Sequence, residues 1–279
     1  MGVFQNNLLA GAAAAATSGA SGFYSHQIEQ SARFDRASDS LLTRTFGTAT
    51  SLKKFTISFW MKRSLLGDDI SGDTFKAMSI MNKTTGNYDG NGAAIIFDQS
   101  SQKDKFGLYR FPAGSSTLRS DGLFRDTGGW NHFVVRADTT QSTASNRVLM
   151  YLNGNQLTTN TPTAGYLAQD ADYSTFATAD LHYIGSNPAA SELGFDGYLA
   201  EFIFTDGQSY APTQFAEEKN GVWIPKDPSG TTFGNNGFHL KFENTSDLGN
   251  DSSGNNNDFS VTNMGTDHQS IDTPTTGTG

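Results

Sequence analysis

The segment DGYLAEFIFTDG, residues 196–207, holds the carboxylate best placed for acid–base work, Glu201. Hydrolysis of a glycosidic bond by the retaining route needs two carboxyl groups about 5 Å apart. Glu201 stands alone in its strand pattern, and Asp196 and Asp206 fall at the turns on either side. It therefore reads as a structural carboxylate that pairs with an arginine or with backbone. His132 and His182 offer imidazoles for proton transfer, but each lies inside a strand pattern and reads as a packed or surface side chain. The chain has no Gly-x-Ser-x-Gly elbow and no His/Glu pair at helical spacing. It also has no cysteine, which removes disulfides, thiolate metal sites and a thiol nucleophile together.

Binding chemistry has more material. Calcium takes several oxygens from carboxylates, amides and carbonyls. NYDGNG (residues 87–92) and DLGNDSSGNNND (residues 247–258) supply them densely. Asp89, Asp247, Asp251 and Asp258 are the calcium candidates, although Asp, Asn and Gly make turns equally well. A sugar site needs exposed aromatic rings beside polar groups. Tyr88, Tyr109, Tyr166, Tyr173 and Trp223 are the candidate platforms, while Trp60 and Trp130 read as packing positions.

The elements that must carry these groups are strands. FTISFWMKR (residues 55–63) alternates, with Phe55, Ile57, Phe59 and Met61 on one face and Thr56, Ser58, Trp60 and Lys62 on the other. WNHFVVRAD, RVLMYLNGNQL and GYLAEFIFTDG repeat the theme between Gly/Asn/Asp-rich turns. Asn153-Gly154 marks a type I′ hairpin, because both central residues need positive φ. About twelve short strands result, with one short helix expected over residues 211–221, from Pro212 to the Asn220-Gly221 stop. With no βαβ alternation and no fixed-period repeat, the pattern is all-β: two stacked antiparallel sheets on one core. The Thr/Ala-rich stretch 158–179 suits a subunit interface or a long surface loop.

The net charge is −9 and no basic run exists. The electrostatic footprint for nucleic acid is missing, as is the charge that would attach the chain to an anionic bilayer. Residues 1–28 carry no formal charge and are rich in Ala and Gly. They lack the basic n-region of a secretion signal, and their apolar run is too short and too weak for a membrane span. A docking arm or a disordered tail remains.

Five pieces in order resemble the concanavalin A-like jelly roll of the laminin-G-like and pentraxin-like group. They are FTISFWMKR, GGWNHFVVRAD, VLMYLNGNQL, YIGSNP with FDGYLAEFIFTDGQSYAPTQFAE, and GNDSSGNNNDF. The last usually opens such domains, so its place near the end implies a permuted strand order. Glycosidases of this fold carry Glu-x-Asp-x-x-Glu on one strand; Phe202, Ile203 and Phe204 stand in that region here. The complete pattern, from the Met-Gly-Val-Phe-Gln-Asn start to DTPT, also resembles virion proteins of marine bacteriophages. That resemblance implies a docking arm (residues 1–29, with Val3, Phe4, Leu8 and Leu9 as its apolar contacts), a jelly roll (30–265) and a flexible tail (266–279). It implies a non-enzymatic structural protein made in the host cytoplasm and carried on the virion as a capsid decoration, fibre or spike module. Its partners would be other virion proteins (capsid, portal, tail or fibre) and sister copies, most simply as a trimer. A lectin for host-surface glycans is the alternative, and a glycoside hydrolase the second.

Overall fold

The computed structural model describes residues 20–66, 78–83, 93–98, 102–109, 117–173, 179–186 and 194–276. The expected contacts Val3, Phe4, Leu8 and Leu9, and the candidates Tyr88 and Asp89, lie outside them. Among the described residues the one α-helix is a single turn, Ala20–Phe23.

The strands follow in chain order: β1 (Ser31–Phe34), β2 (Leu41–Thr45), β3 (Lys54–Arg63), β4 (Met78–Lys83), β5 (Ala93–Phe97), β6 (Phe106–Tyr109), β7 (Thr117–Arg119), β8 (Asn131–Asp138), β9 (Val148–Leu152), β10 (Asn155–Gln156), β11 (Leu181–Ile184), β12 (Gly197–Asp206), β13 (Ala216–Lys219), β14 (Val222–Pro225), β15 (Phe238–Leu240), β16 (Ser260–Thr262) and β17 (Gln269–Ser270). One sheet runs β10-β9-β8-β3-β12-β1-β17, with β15 also on β12; the second runs β16-β2-β11-β4-β5-β6-β7. Neighbouring strands are antiparallel throughout, as in the ladders of β3 with β8 and with β12. The all-β sandwich is thus as the sequence indicates, and β16 takes the edge beside β2.

The alternation of β3 sets the layers. Phe55, Ile57, Phe59 and Met61 enter the core between the sheets with Phe133, Phe202, Phe204 and Phe238. Phe59 stacks on Phe202 at 5.1 Å, with the rings nearly parallel at 8°. The opposite face of β3 is buried too. Trp60 joins Ala200 and Ala216 there, and Val134 packs with Ile203 and Phe215. The main sheet is therefore covered twice, by the second sheet and by a thinner outer layer.

That outer layer corrects the expected helix. Residues 212–214 make one 3₁₀ turn, and then β13 and β14 form a hairpin over Asn220-Gly221. Both turn residues have positive φ, 54° and 80°. Asn-Gly ends helices and also turns type I′ hairpins; here the second role holds.

The C-terminal segment differs from the expected flexible tail. β17 pairs with β1. Thr275 is buried, accepts the Ile28 N–H and donates to the Ile28 carbonyl, both at 3.0 Å. Ser31 donates to the Asp272 carbonyl at 2.7 Å. Residues 24–31 and 269–276 thus clasp each other against the sandwich.

Candidate functional site

Glu201 sits at an irregularity in β12. The register with β3 slips between Ala200 and Ile203, where the extra residue of a β-bulge is inserted. Glu201 has φ of 46°, unusual for a residue with a Cβ. The insertion lets Leu199 and Phe202 both face the core while Ala200 and Ile203 face outward. It also falls where β1 gives way to β15 as the neighbour of β12.

The Glu201 carboxylate points into the outer layer. His239 on β15 hydrogen-bonds to its Oε2, and His26 lies 3.5 Å from Oε1. Burial alone would raise the Glu201 pKa; the adjacent His239, and then His26, outweigh it and hold the carboxyl at about 2. The same contact raises the His26 pKa against its own partial burial. The partner expected for Glu201 was arginine or backbone; it is instead this pair of histidines. A carboxylate so committed is not free to act as an acid or a nucleophile.

The other expected groups are also tied down. His182 is buried on Phe46 with ring centroids 3.8 Å apart. Its Nδ1–H donates to the Asp180 carbonyl at 2.8 Å, and desolvation lowers its pKa to about 4. Asp206 accepts from the Thr50, Ser51 and Asn236 amides, and Asp196 from Arg33 and the Arg36 amide.

Of the calcium candidates, Asp251 and Asp258 come together, but as turn formers. Asp251 accepts from the amides of His239, Ser253 and Asn257 and from the Ser253 hydroxyl. Asp258 accepts from the Asp251 amide, and Asp247 from the Gly249 amide. Among the described residues no group of three or more His, Asp or Glu is arranged to hold a metal ion.

Of the candidate platforms, Tyr173 is buried beside Phe55 at 5.4 Å and offers no ring to a ligand. Tyr166 packs partly on the core, and Tyr109 lies half-buried on β6. Trp223 is different. It stands on β14 in the wall of an open cleft of about 400 Å³ lined by Trp60, Trp130, Asn153, Asn155, Glu218 and the Gly221-Val222 backbone. That volume lies within the usual range for small-molecule pockets, about 300–1,000 Å³.

The cleft wall is built around His132. Trp223 Nε1–H donates to His132 Nδ1 at 3.0 Å. Indole nitrogen can only donate, so Nδ1 accepts and the proton of the neutral ring lies on Nε2, which donates to Ser58 Oγ at 2.8 Å. Full burial drives the His132 pKa down to about 3, so the ring is uncharged at neutral pH. Trp60 and Trp223 flank it at 4.9 and 6.2 Å. Trp130 is held from the other side, with its Nε1–H donating to Asp272 Oδ1 at 2.9 Å and Lys62 on the second oxygen at 2.8 Å. The C-terminal segment therefore orients one wall of the cleft.

The sequence singles out Trp223 as a candidate platform but does not reveal the cleft around it. It places Trp130 among the packing residues and takes Glu218 into a helix. The available signal was in EEKNGVWIP: as a hairpin it sets Glu218 directly opposite Trp223.

Comparison with known proteins agrees with this fold. No curated protein sequence matches the chain. Among solved structures, a "putative carbohydrate binding protein" from Bacteroides ovatus aligns at 14% identity and TM-score 0.55, over 85% of this chain and 60% of its own. The chain thus spans under two thirds of that protein. The heptameric SAP-like pentraxin of Limulus polyphemus aligns at 14% identity and TM-score 0.43, over 67% of this chain and 80% of that one. The CBM40 module of the Ruminococcus gnavus IT-sialidase, solved with α2,3-sialyllactose, gives 12%, 0.37, 62% and 89%. Residues 35–208, more than half of the sequence, match the Laminin_G_3 model, so the chain belongs to the concanavalin A-like lectin/glucanases superfamily.

Proposed function

We propose that this chain is a non-enzymatic carbohydrate-binding jelly roll, carried on a bacteriophage virion as a decoration, fibre or spike module. The observation that carries the binding reading is the cleft between Trp130 and Trp223, where two half-buried indoles stand beside Asn155 and Glu218. Indole faces stack on the apolar face of a pyranose, and the amide and carboxylate meet its hydroxyls. A non-catalytic role is supported by the carboxylates themselves. Among the described residues Glu218 is the one carboxylate lining the cleft, and Glu201 is buried between histidines. The virion placement is supported by the sequence alone, through the uncharged arm and its resemblance to virion proteins; assembly as a homotrimer goes with it.

Two experiments test the two halves. Titration of the intact protein against immobilised polysaccharides should show binding that Trp223→Ala and Trp130→Ala each weaken at least tenfold. Hydrolysis of any of them, lost in Glu218→Gln or Glu201→Gln, would falsify the non-enzymatic reading. Mass spectrometry of purified particles should find the chain in them, and a variant lacking residues 2–22 should stay folded yet be absent. Particles that incorporate the truncated chain normally would end the arm's docking role.

A further inference from the structure

We infer that the cleft selects its sugar by charge, and that its preferred occupant is a pyranose bearing a protonated amino group. This deepens the carbohydrate-binding reading and rests on it. The argument is an inventory of donors and acceptors. Both half-buried indoles have spent their N–H groups inside the protein, Trp223 on His132 and Trp130 on Asp272. The Asn153 amide donates one N–H to Asn131 Oδ1 and accepts from the His132 N–H. The Asn155 amide nitrogen donates to the Asn153 carbonyl. What these side chains leave facing the cleft is two π-faces, the Asn155 Oδ1, the Glu218 carboxylate and the second N–H of each asparagine amide; the carboxylate is the one charged group among them, and it and the π-faces attract cations.

The cations nearby are turned elsewhere. β13 alternates, so Ala216 and Glu218 share the face toward Trp223, while Glu217 and Lys219 share the other. There Ser25 donates to Glu217 at 2.6 Å, and the Lys219 ammonium donates to the Gly22 carbonyl at 3.2 Å and to that of Phe23. Lys62 is paired with Asp272. Among the described residues no Lys, Arg or His side chain lines the cleft, and Glu218 has neither hydrogen-bond nor ion-pair partner. The whole chain adds a net charge of −9. An anionic sugar would meet an unneutralised carboxylate and, among the described lining residues, no cationic side chain to offset its lost water. A protonated amino sugar supplies three N–H donors and a positive charge, and keeps the apolar ring face for the indoles.

The test uses ligands matched in shape. A β-1,4-glucosamine oligomer, its fully N-acetylated counterpart, a uronate oligomer and α2,3-sialyllactose are titrated into the full chain at low salt, with tryptophan emission as the readout. Glu218 is exposed, so the preference for the amine over the N-acetyl form should be roughly three- to tenfold, from one exposed ion pair and one cation–π contact. The two anionic ligands should bind weakest. Glu218→Gln, high salt, or a pH at which the amine is neutral should each shrink the preference to about twofold or less. N-acetyl or anionic oligomers that bind as tightly as the amine overturn the charge selection and leave the carbohydrate reading standing. Failure of all four ligands to bind removes both.

Discussion

The cleft depends on a contact that one methyl group should break. The chain makes two Asn-Gly hairpin turns with the same backbone signature: Asn153-Gly154, with φ of 45° and 79°, and Asn220-Gly221, with φ of 54° and 80°. Alanine at either glycine incurs the left-handed cost of a Cβ, about 1–2 kcal/mol. The surroundings differ. A Cβ at position 221 meets nothing within 4 Å, whereas at position 154 it falls 2.7 Å from two ring atoms of Trp223. Trp223 must then move, and its bond to the buried His132 Nδ1 is lost. An orphaned buried acceptor costs about 1–3 kcal/mol. Gly154→Ala should therefore be about 1–3 kcal/mol more destabilising than Gly221→Ala in urea unfolding, with a tryptophan emission shift that the control lacks. It should also weaken sugar binding. Equal destabilisation by the two variants, within about 0.5 kcal/mol, would mean that Trp223 is not pinned between the turn and the histidine.

The same geometry yields further expectations. Glu201→Gln breaks a buried ionic contact and should destabilise by about 3 kcal/mol. Because the His26 pKa is raised, its share of that stability is present below the ordinary histidine value and fades as pH rises through the shifted one. The cost should thus be larger at pH 5.5 than at 8.5, and the reverse order in urea titrations counts against the assignment. Thr275→Val keeps the volume but leaves the Ile28 N–H and carbonyl unpaired in a buried site. A loss of about 2–4 kcal/mol, with faster amide exchange across residues 24–31, is expected; unchanged exchange would show that the two ends do not clasp.

The readable part of this structure is the part governed by period. Phe55 to Met61 alternate in the sequence and alternate in space, and Asn153-Gly154 turns as its φ demands. Glu201 was visible as the odd residue of an apolar strand, yet its bulge was not, because an inserted residue is defined by the register of the partner strand. Asn220-Gly221 has two conformational uses, and the residues just before it decide neither. The clasp was hidden for another reason. Thr275 is buried through hydrogen bonds to Ile28, 247 positions away, and Thr273 through bonds to Thr275 and Thr276, and no hydrophobic pattern marks either. The cleft suffered from both problems, since it needs the hairpin to place Glu218 and the C-terminal segment to hold Trp130.

The two buried histidine networks should respond to acid in different ways, and this separates them experimentally. His132 is neutral, its tautomer is fixed by the Trp223 donor, and its pKa lies near 3. Its depressed pKa contributes stability above the unfolded value near 6.5, and that stability drains as pH falls toward 3. The Glu201 network works oppositely across the histidine range, since the raised His26 gains as pH falls through it. Between about pH 5 and 8 the cleft wall therefore keeps one protonation state while the network beneath the N-terminal segment changes. Affinity for an uncharged sugar should stay flat over that window, and amide protection at residues 24–29 should fall as pH rises. If sugar affinity instead tracks the protection of that segment, the cleft and the N-terminal segment are coupled. The wall formed by Trp60, His132 and Trp223 would then not be independent of the Glu201 network.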